Sequence, residues 1–237
     1  MALGKLYVAA TPIGNLEDIS LRALRVMREA DYILCEDTRQ TRILLNEHDI
    51  KTATISFHQH SGSGKMSQLL RYLGEGKNLV LVSDAGTPGI SDPGSALVAA
   101  ARAEYGEELE VLSLPGPSAV IAALSVSGWP ADRFCFFGFL PHKKGRQTML
   151  KEIVSSRYPA AFYESKHRIA KCLAEMTVIS NDEGIGLELM IAREITKMFE
   201  TVYFGNPADL AEKLAADPDM QKGEFVVLCR RTDKKNI

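Results

Sequence analysis

The stretch that says most about this chain is Ser83-Asp84-Ala85-Gly86-Thr87-Pro88-Gly89-Ile90-Ser91-Asp92-Pro93-Gly94. It follows an apolar, strand-like run at residues 78–82 and precedes an alanine-rich, helix-like run at residues 95–103. Its glycines and prolines make a loop whose backbone holds one shape and lets a ligand approach closely. A loop between a strand and a helix is where open α/β sheets bind their ligands. The glycine spacing is not that of the dinucleotide fingerprint, so a different ligand is expected.

The composition is that of an ordinary soluble, globular protein. The chain has 237 residues, of which 46% are hydrophobic and 24% charged, enough for two modest domains. It contains no apolar run long enough to span a membrane and no signal peptide, so a cytoplasmic location is expected. The four cysteines are scattered, which indicates reduced thiols and no metal site; they are Cys35, Cys135, Cys172 and Cys229.

The charge is distributed unevenly along the chain. A net charge of −2 disfavours a general nucleic-acid coating protein. Residues 142–171, however, carry eight Lys or Arg against two acidic residues. This segment is either a solvated helix surface or a local phosphate-binding surface.

Strand-like and helix-like runs alternate along the whole chain. In residues 1–115 they follow the rhythm that predicts an α/β domain with a mostly parallel sheet covered on both faces. One helix is predicted over residues 19–30, with Asp18 as its N-cap. Residues 116–237 predict a second α/β domain, whose sheet is mixed.

Four loops follow strands of the first half. They span residues 10–18, 36–39, 83–94 and 115–118. Because parallel strands bring their carboxyl ends to one edge of a sheet, we expect the loops to converge on one crevice. They offer backbone N–H and C=O groups with little positive charge, which suits an amino-acid-like or nucleoside-like ligand better than a pyrophosphate. Each loop taken alone is also consistent with an ordinary turn.

Two strands of the second half end in polar clusters, at residues 163–168 and 192–197. Each cluster is either a self-paired, charged strand end or one side of a cleft shared by the two domains. The sequence contains no Walker A motif, no nucleophile elbow and no zincin motif. Triphosphate hydrolysis and peptidase or esterase chemistry are therefore disfavoured.

Taken together, the loops resemble those of the tetrapyrrole-methylase superfamily. The matching segments cover nearly the whole chain, in order: 10–19, 35–39, 83–94, 114–118, 138–141, 163–165 and 192–197. The resemblance implies a class III methyltransferase with two α/β domains and the cofactor cleft between them. It also implies S-adenosylmethionine as the cofactor, and a homodimer. Thr87 stands where porphyrin-methylating relatives have Asp, which favours the branch that 2′-O-methylates a cytidine ribose in 16S rRNA of the small ribosomal subunit.

The resemblance also implies which residues bind the cofactor. In the first half and at the boundary they are Pro12, Asp84, Ala85, Gly86, Ile90, Ser91, Pro115, Gly116, Pro117 and Ser118. In the second half they are Tyr163, Ala192, Arg193 and Glu194.

A ribose hydroxyl is a poor nucleophile until it loses its proton, so a base or a stabilising cation is expected near it. The candidates for the base are Asp37, Glu164 and Glu194. Lys166 or Lys197 would stabilise the developing alkoxide. The residues expected to hold RNA phosphates are Arg39, Lys143, Lys144 and Arg146.

Two other functions fit the same residues. One is a small-molecule, tetrapyrrole-like methyltransferase of the same superfamily, which the basic segment disfavours and the small net charge favours. The other is a module that binds RNA or a nucleotide without catalysis. Binding of S-adenosylmethionine distinguishes this module from both enzymes.

Overall fold

A computed structural model describes residues 2–58, 61–92 and 94–232. The chain divides into two compact units, Met1–Ser118 and Ala119–Ile237. The boundary that the sequence predicts, between residues 115 and 116, lies in the same Pro-Gly-Pro-Ser stretch as this division. Each unit has a five-stranded sheet of its own.

The first unit is a parallel sheet with helices between its strands. Its strands are β1 (Leu6–Ala9), β2 (Tyr32–Cys35), β3 (Ala53–Ser56), β4 (Leu79–Leu81) and β5 (Val111–Leu114). Its helices are α1 (Leu21–Glu29), α2 (Thr38–Glu47), α3 (Ser63–Gly74) and α4 (Gly94–Tyr105). The strands stand in the order β3-β2-β4-β1-β5, and every pairing is parallel. The predicted parallel sheet is therefore confirmed.

The central strands are apolar on both faces because helices cover both faces of the sheet. Val80 faces a core that includes residues of α1 and α2. Leu79 and Leu81 face the opposite core, which includes residues of α3 and α4. The sheet thus fixes the positions at which its connecting loops begin.

The N-cap of α1 is Ser20, whose Oγ accepts a hydrogen bond from the Ala23 amide at 3.1 Å. The prediction that Asp18 caps this helix is therefore wrong. Asp18 is instead the last residue of a short 3-10 helix, Leu16–Asp18, and Ile19 and Ser20 separate it from α1. Asp and Ser are about equally good caps, so residue type alone does not distinguish them.

The second unit is a mixed sheet flanked by helices. Its strands are β6 (Cys135–Phe139), β7 (Ala160–Ser165), β8 (Leu187–Arg193), β9 (Thr201–Gly205) and β10 (Glu224–Arg231). Its helices are α5 (Ala119–Val126), α6 (Arg146–Ser155), α7 (Ile169–Glu183) and α8 (Pro207–Ala216). The strand order is β6-β7-β10-β8-β9, in which β6 and β7 are parallel and the other pairs antiparallel. The predicted mixed sheet is confirmed.

The cysteines are free thiols, and Cys35, Cys172 and Cys229 are buried. Burial raises the pKa of the Cys172 thiol to about 12, so it stays protonated at neutral pH. Within the described ranges no helix has both the length and the apolar character needed to cross a membrane.

Candidate functional site

The loops after β1 and β4 are hydrogen-bonded to each other at one edge of the first sheet. Thr11 and Gly86 exchange both backbone hydrogen bonds, with N···O distances of 2.9 and 3.1 Å. The pair forms an antiparallel bridge beyond the ends of two parallel strands. Thr11 Oγ1 also donates to the Ser83 carbonyl at 3.0 Å. These two loops therefore form a single connected edge.

The loop after β5 joins the same edge. Thr87 Oγ1 donates to the Pro117 carbonyl at 3.0 Å. Gly86 has φ +86°, and a Cβ there would lie 3.4 Å from Ile13 Cγ2 and 3.7 Å from the Pro117 oxygen. A Cβ on Gly116 would lie 3.0 Å from Ala10 Cβ. Glycine is therefore favoured at position 86 by its positive φ and at position 116 by the close approach of Ala10. These contacts bring three of the four loops together at one edge, as the sequence predicts.

The loop of residues 83–94 is held in shape by Asp92. One oxygen of Asp92, Oδ1, accepts hydrogen bonds from the Gly89 and Gly94 amides, both at 2.7 Å. Gly94 is the first residue of α4, so this carboxylate fixes the start of the helix as well as the loop. The exposed residues of this loop include four that the sequence assigns to the cofactor: Asp84, Ala85, Ile90 and Ser91.

The loop after β2 carries adjacent carboxyl groups with opposite pKa shifts. Hydrogen bonds from the Arg39 side chain, and from its amide, lower the pKa of Asp37 to about 2. Burial, together with the charges of Asp84 and Asp92, raises the pKa of Glu36. The Asp37 amide also donates to Asp84 Oδ1 at 3.1 Å, which ties this loop to the loop after β4. Sequence reasoning missed Glu36 as a candidate base, although its place at the end of β2 was a signal.

Arg146 lies in the interior of the second unit, contrary to the prediction that it holds an RNA phosphate. The residue is only 3% exposed. Its Nη1 lies 3.0 Å from Glu164 Oε2, and its Nε lies 2.7 Å from Glu175 Oε2. The guanidinium is therefore used in buried ion pairs between α6, β7 and α7.

Glu164 is equally unsuited to the base role that the sequence offered for it. Its side chain is 0% exposed. Besides Arg146, it contacts the Arg168 guanidinium, with Nη2 at 2.7 Å from Oε1. The Ser165 amide donates to the same oxygen at 2.8 Å. Both oxygens of this carboxylate are therefore occupied by partners within the protein, and the side chain is closed to solvent.

The end of β8 is also occupied by internal contacts. Glu194 Oε1 accepts from the Glu224 amide at 2.8 Å and from Lys197 Nζ at 3.2 Å. Burial acts to raise the pKa of Glu194, but these two hydrogen bonds lower it overall. Arg193 donates to three backbone carbonyls, those of Lys222, Phe199 and Asp219. Ala192, the residue before it, is buried between β10 and β9.

Other predicted site residues remain accessible. Tyr163 is half-buried, with the Phe136 and Phe139 rings 5.1 and 5.2 Å away. The Arg39 side chain is 90% exposed. Lys143, Lys144 and Lys166 are exposed as well.

Comparison with known proteins identifies relatives over most of the chain. Residues 5–211 match the family model of tetrapyrrole (corrin/porphyrin) methylases. The chain is 46% identical over 226 residues to ribosomal RNA small subunit methyltransferase I of Xylella fastidiosa, an alignment that covers 95% of this chain and 81% of that protein.

Two solved structures have the same fold. The methyltransferase CobJ is 23% identical with a TM-score of 0.69, over 99% of this chain and 97% of that one. A uroporphyrin-III C-methyl transferase from Thermus thermophilus, complexed with S-adenyl homocysteine, is 16% identical with a TM-score of 0.63, over 95% of this chain and 97% of that one. The part of this chain that the structure describes contains no group of three or more His, Cys, Asp or Glu placed to hold a metal ion.

Proposed function

Because the chain belongs to the tetrapyrrole (corrin/porphyrin) methylase family, we propose that it is an S-adenosylmethionine-dependent methyltransferase of small-subunit ribosomal RNA. The reaction is 2′-O-methylation of a cytidine ribose in 16S rRNA, and it takes place in the cytoplasm. One observation carries the proposal: the chain matches a ribosomal RNA small subunit methyltransferase I over 95% of its length. The homodimer that the resemblance implies stays a prediction.

The edge formed by the loops of the first unit fits such a cofactor. Residues 83–94 and 115–118 contain no Lys or Arg, so their ligand groups are backbone amides and carbonyls, side-chain hydroxyls such as that of Ser91, and the Asp84 carboxylate. These groups can pair with an ammonium and with ribose hydroxyls, whereas a pyrophosphate needs positive charge. The first-unit residues that would hold the cofactor are Pro12, Asp84, Ala85, Gly86, Ile90, Ser91, Pro115, Gly116, Pro117 and Ser118. Tyr163, Ala192, Arg193 and Glu194 stay predictions.

When bound, S-adenosylmethionine supplies a methyl group on a positively charged sulfur, which an oxygen nucleophile can attack without a metal. The protein then has to position the ribose and take up the proton of its 2′-hydroxyl. Burial acts to lower the pKa of Lys197, but Glu224 and Glu194 raise it overall, so this ammonium keeps its charge. Lys197 stays a proposed stabiliser of the developing alkoxide, and the exposed Lys166 stays the alternative to it.

The neighbouring carboxyl groups of Glu36 and Asp37 provide a matched test of the base. We expect Asp37→Asn to leave the acid limb of the kcat/KM pH profile in place, because a carboxyl with a pKa of about 2 stays ionised throughout the assay range. We expect Glu36→Gln to remove that limb and to lower kcat by about 100-fold or more, the usual contribution of a general base. These results would identify Glu36 as the general base. If the acid limb disappears with Asp37→Asn and persists with Glu36→Gln, Asp37 is the base instead.

The function itself is tested in two steps. Calorimetry should show saturable binding of S-adenosylmethionine to the folded protein; its absence would leave only the non-catalytic module. Incubation with labelled cofactor and unmodified small ribosomal subunits should then label 16S rRNA at a ribose 2′-oxygen. Binding without incorporation into subunits or naked rRNA would contradict the proposed substrate and favour a small-molecule methyltransferase.

A further inference from the structure

Two basic segments of the second unit, both with exposed lysines, lie beside the buried carboxylate of Glu164. The first, the basic loop, comprises residues 140–145 and carries Lys143 and Lys144. The second, the basic turn, comprises residues 165–168 and carries Lys166. The loop follows β6 and the turn follows β7, its parallel neighbour, so both begin at the same edge of the sheet.

Glu164 connects these two segments through its arginine partners. Arg168 forms an ion pair with Glu164 Oε1. It also donates from Nη1 to the Leu140 carbonyl at 2.8 Å and from Nε to Ser165 Oγ at 3.2 Å. Arg146 forms an ion pair with Glu164 Oε2 and donates from Nη1 to the Pro141 carbonyl at 3.4 Å. One carboxylate thus holds the start of the basic loop against the basic turn.

The same contacts separate buried charge from exposed charge. Inside, Arg146 and Arg168 are balanced by Glu164 and Glu175. Outside, the lysines of the loop and turn point to solvent, and Lys171 lies 3.9 Å from Glu175 on the surface of α7. Arg146 and Arg168 therefore have a structural role, and the lysines of the loop and the turn form the accessible positive surface.

We propose that Glu164 is a positioning residue that holds the basic loop and the basic turn together as one surface for the phosphates of a structured RNA. This inference rests on the proposed function and extends it to how the substrate is held. A folded RNA presents phosphates at fixed spacings, so a surface of fixed geometry binds several of them at once with a smaller entropic cost. Lys143, Lys144 and Lys166 are the contacts that this surface supplies.

The experiment uses binding of the full chain to a fluorescein-labelled RNA hairpin, followed by anisotropy between about 50 and 200 mM salt. Lys143→Ala and Lys166→Ala should each weaken binding and lower the salt slope by about 1, and together by about 2. The control is Lys213→Ala, which removes the same charge from an exposed position on α8 and should leave the slope unchanged.

Glu164→Gln distinguishes positioning from simple charge, because the two accounts predict opposite signs. The substitution removes a negative charge, so charge alone would tighten binding. Positioning predicts instead that binding weakens by about threefold or more and that the salt slope falls by about 1, because the lysines of one segment no longer reach the RNA phosphates. Arg168→Lys keeps the charge and loses the fork of donors to Leu140, Ser165 and Glu164, so it should weaken binding in the same direction even where Glu164→Gln folds poorly. Circular dichroism establishes that each variant is folded.

The proposal is overturned if folded Glu164→Gln and Arg168→Lys bind the hairpin as tightly as the wild type, or if the loop and turn lysines behave like Lys213. Anionic lipid vesicles bound in preference to the hairpin would overturn it too, in favour of a membrane-binding surface. The binding assay does not depend on methyl transfer, so its outcome is separate from that of the proposed function. If the binding changes are as expected but small subunits are not methylated, the proposed methyltransferase function is contradicted and the proposed RNA-binding surface is supported.

Discussion

Replacement of Arg146 by Ala is expected to lower the free energy of unfolding of the second unit by about 3 to 5 kcal/mol. The substitution removes the ion pairs with Glu164 and Glu175 and leaves Glu164, whose side chain is 0% exposed, with Arg168 as its remaining ion-pair partner. A buried carboxylate that loses a counter-charge is costly because water cannot replace the lost partner. Urea unfolding at pH 7, followed by circular dichroism, measures the change.

Lys151→Ala is the matched control for Arg146→Ala, since it also shortens a long cationic side chain on α6 but at an exposed position. Its effect should be within about 0.5 kcal/mol. Arg146→Met keeps much of the aliphatic volume and should still show most of the loss of stability expected for Arg146→Ala. That result would assign the loss to charge and hydrogen bonding. A loss for Arg146→Ala no greater than for Lys151→Ala would contradict the buried network.

Replacement of Asp92 by Ala is expected to lower the stability of the first unit by about 2 to 4 kcal/mol and the affinity for S-adenosylmethionine by about tenfold or more. The side chain accepts two short hydrogen bonds, from the Gly89 and Gly94 amides, so both donors and the start of α4 lose their partner. The loop around Gly89 then loses the contact that fixes its shape, although the bridge between Thr11 and Gly86 remains. Thermal unfolding and calorimetry with S-adenosylmethionine measure the two effects.

Asp92→Asn is the control, because its amide oxygen can still accept both hydrogen bonds. It should keep the affinity within about threefold and lose about 1 kcal/mol, the difference between charged and neutral acceptors. If Asp92→Ala binds the cofactor as tightly as the wild type, the loop does not depend on this carboxylate. If Asp92→Asn is as damaging as Asp92→Ala, the charge and not the hydrogen-bond geometry is what the loop needs.

The parallel sheet and the converging loops of the first unit could be predicted from sequence because their signals are local. Apolar runs such as residues 79–82 end in glycine and proline, and parallel strands leave little freedom in where such loops go. The hydrogen bonds accepted by Asp92 fix the same loop. The partners of Asp92, Gly89 and Gly94, lie within three residues of it, so this contact too is local in origin.

The roles of Arg146 and Glu164 could not be read in the same way, because the sign of a charge does not tell whether it faces water. A signal was nonetheless present. Arg146 precedes Leu150 and Ile153 at helical spacing, which places it on the buried face of α6. Glu164 shares the alternation of β7 with Ala160 and Phe162, both fully buried. The spacing of both residues relative to their apolar neighbours therefore predicts that Arg146 and Glu164 are buried.

The opposite pKa shifts of Glu36 and Asp37 could not be predicted from the sequence. Both residues are carboxylic acids at the end of one strand, and their difference comes from neighbours in different places. Arg39 is close in sequence to Asp37, whereas Asp84 and Asp92 reach Glu36 from another loop. Only the order of strands in the sheet, with β2 beside β4, brings these charges together.

The bridge between Thr11 and Gly86 bears on the thermodynamics of ligand binding. Since the loops after β1 and β4 are already hydrogen-bonded to each other, and Thr87 adds the loop after β5, their backbone is ordered when the unit folds. A ligand that settles on this edge has little loop entropy left to remove. Its affinity is then decided by the contacts that it makes, and a small ligand without phosphates can bind there through a modest number of hydrogen bonds.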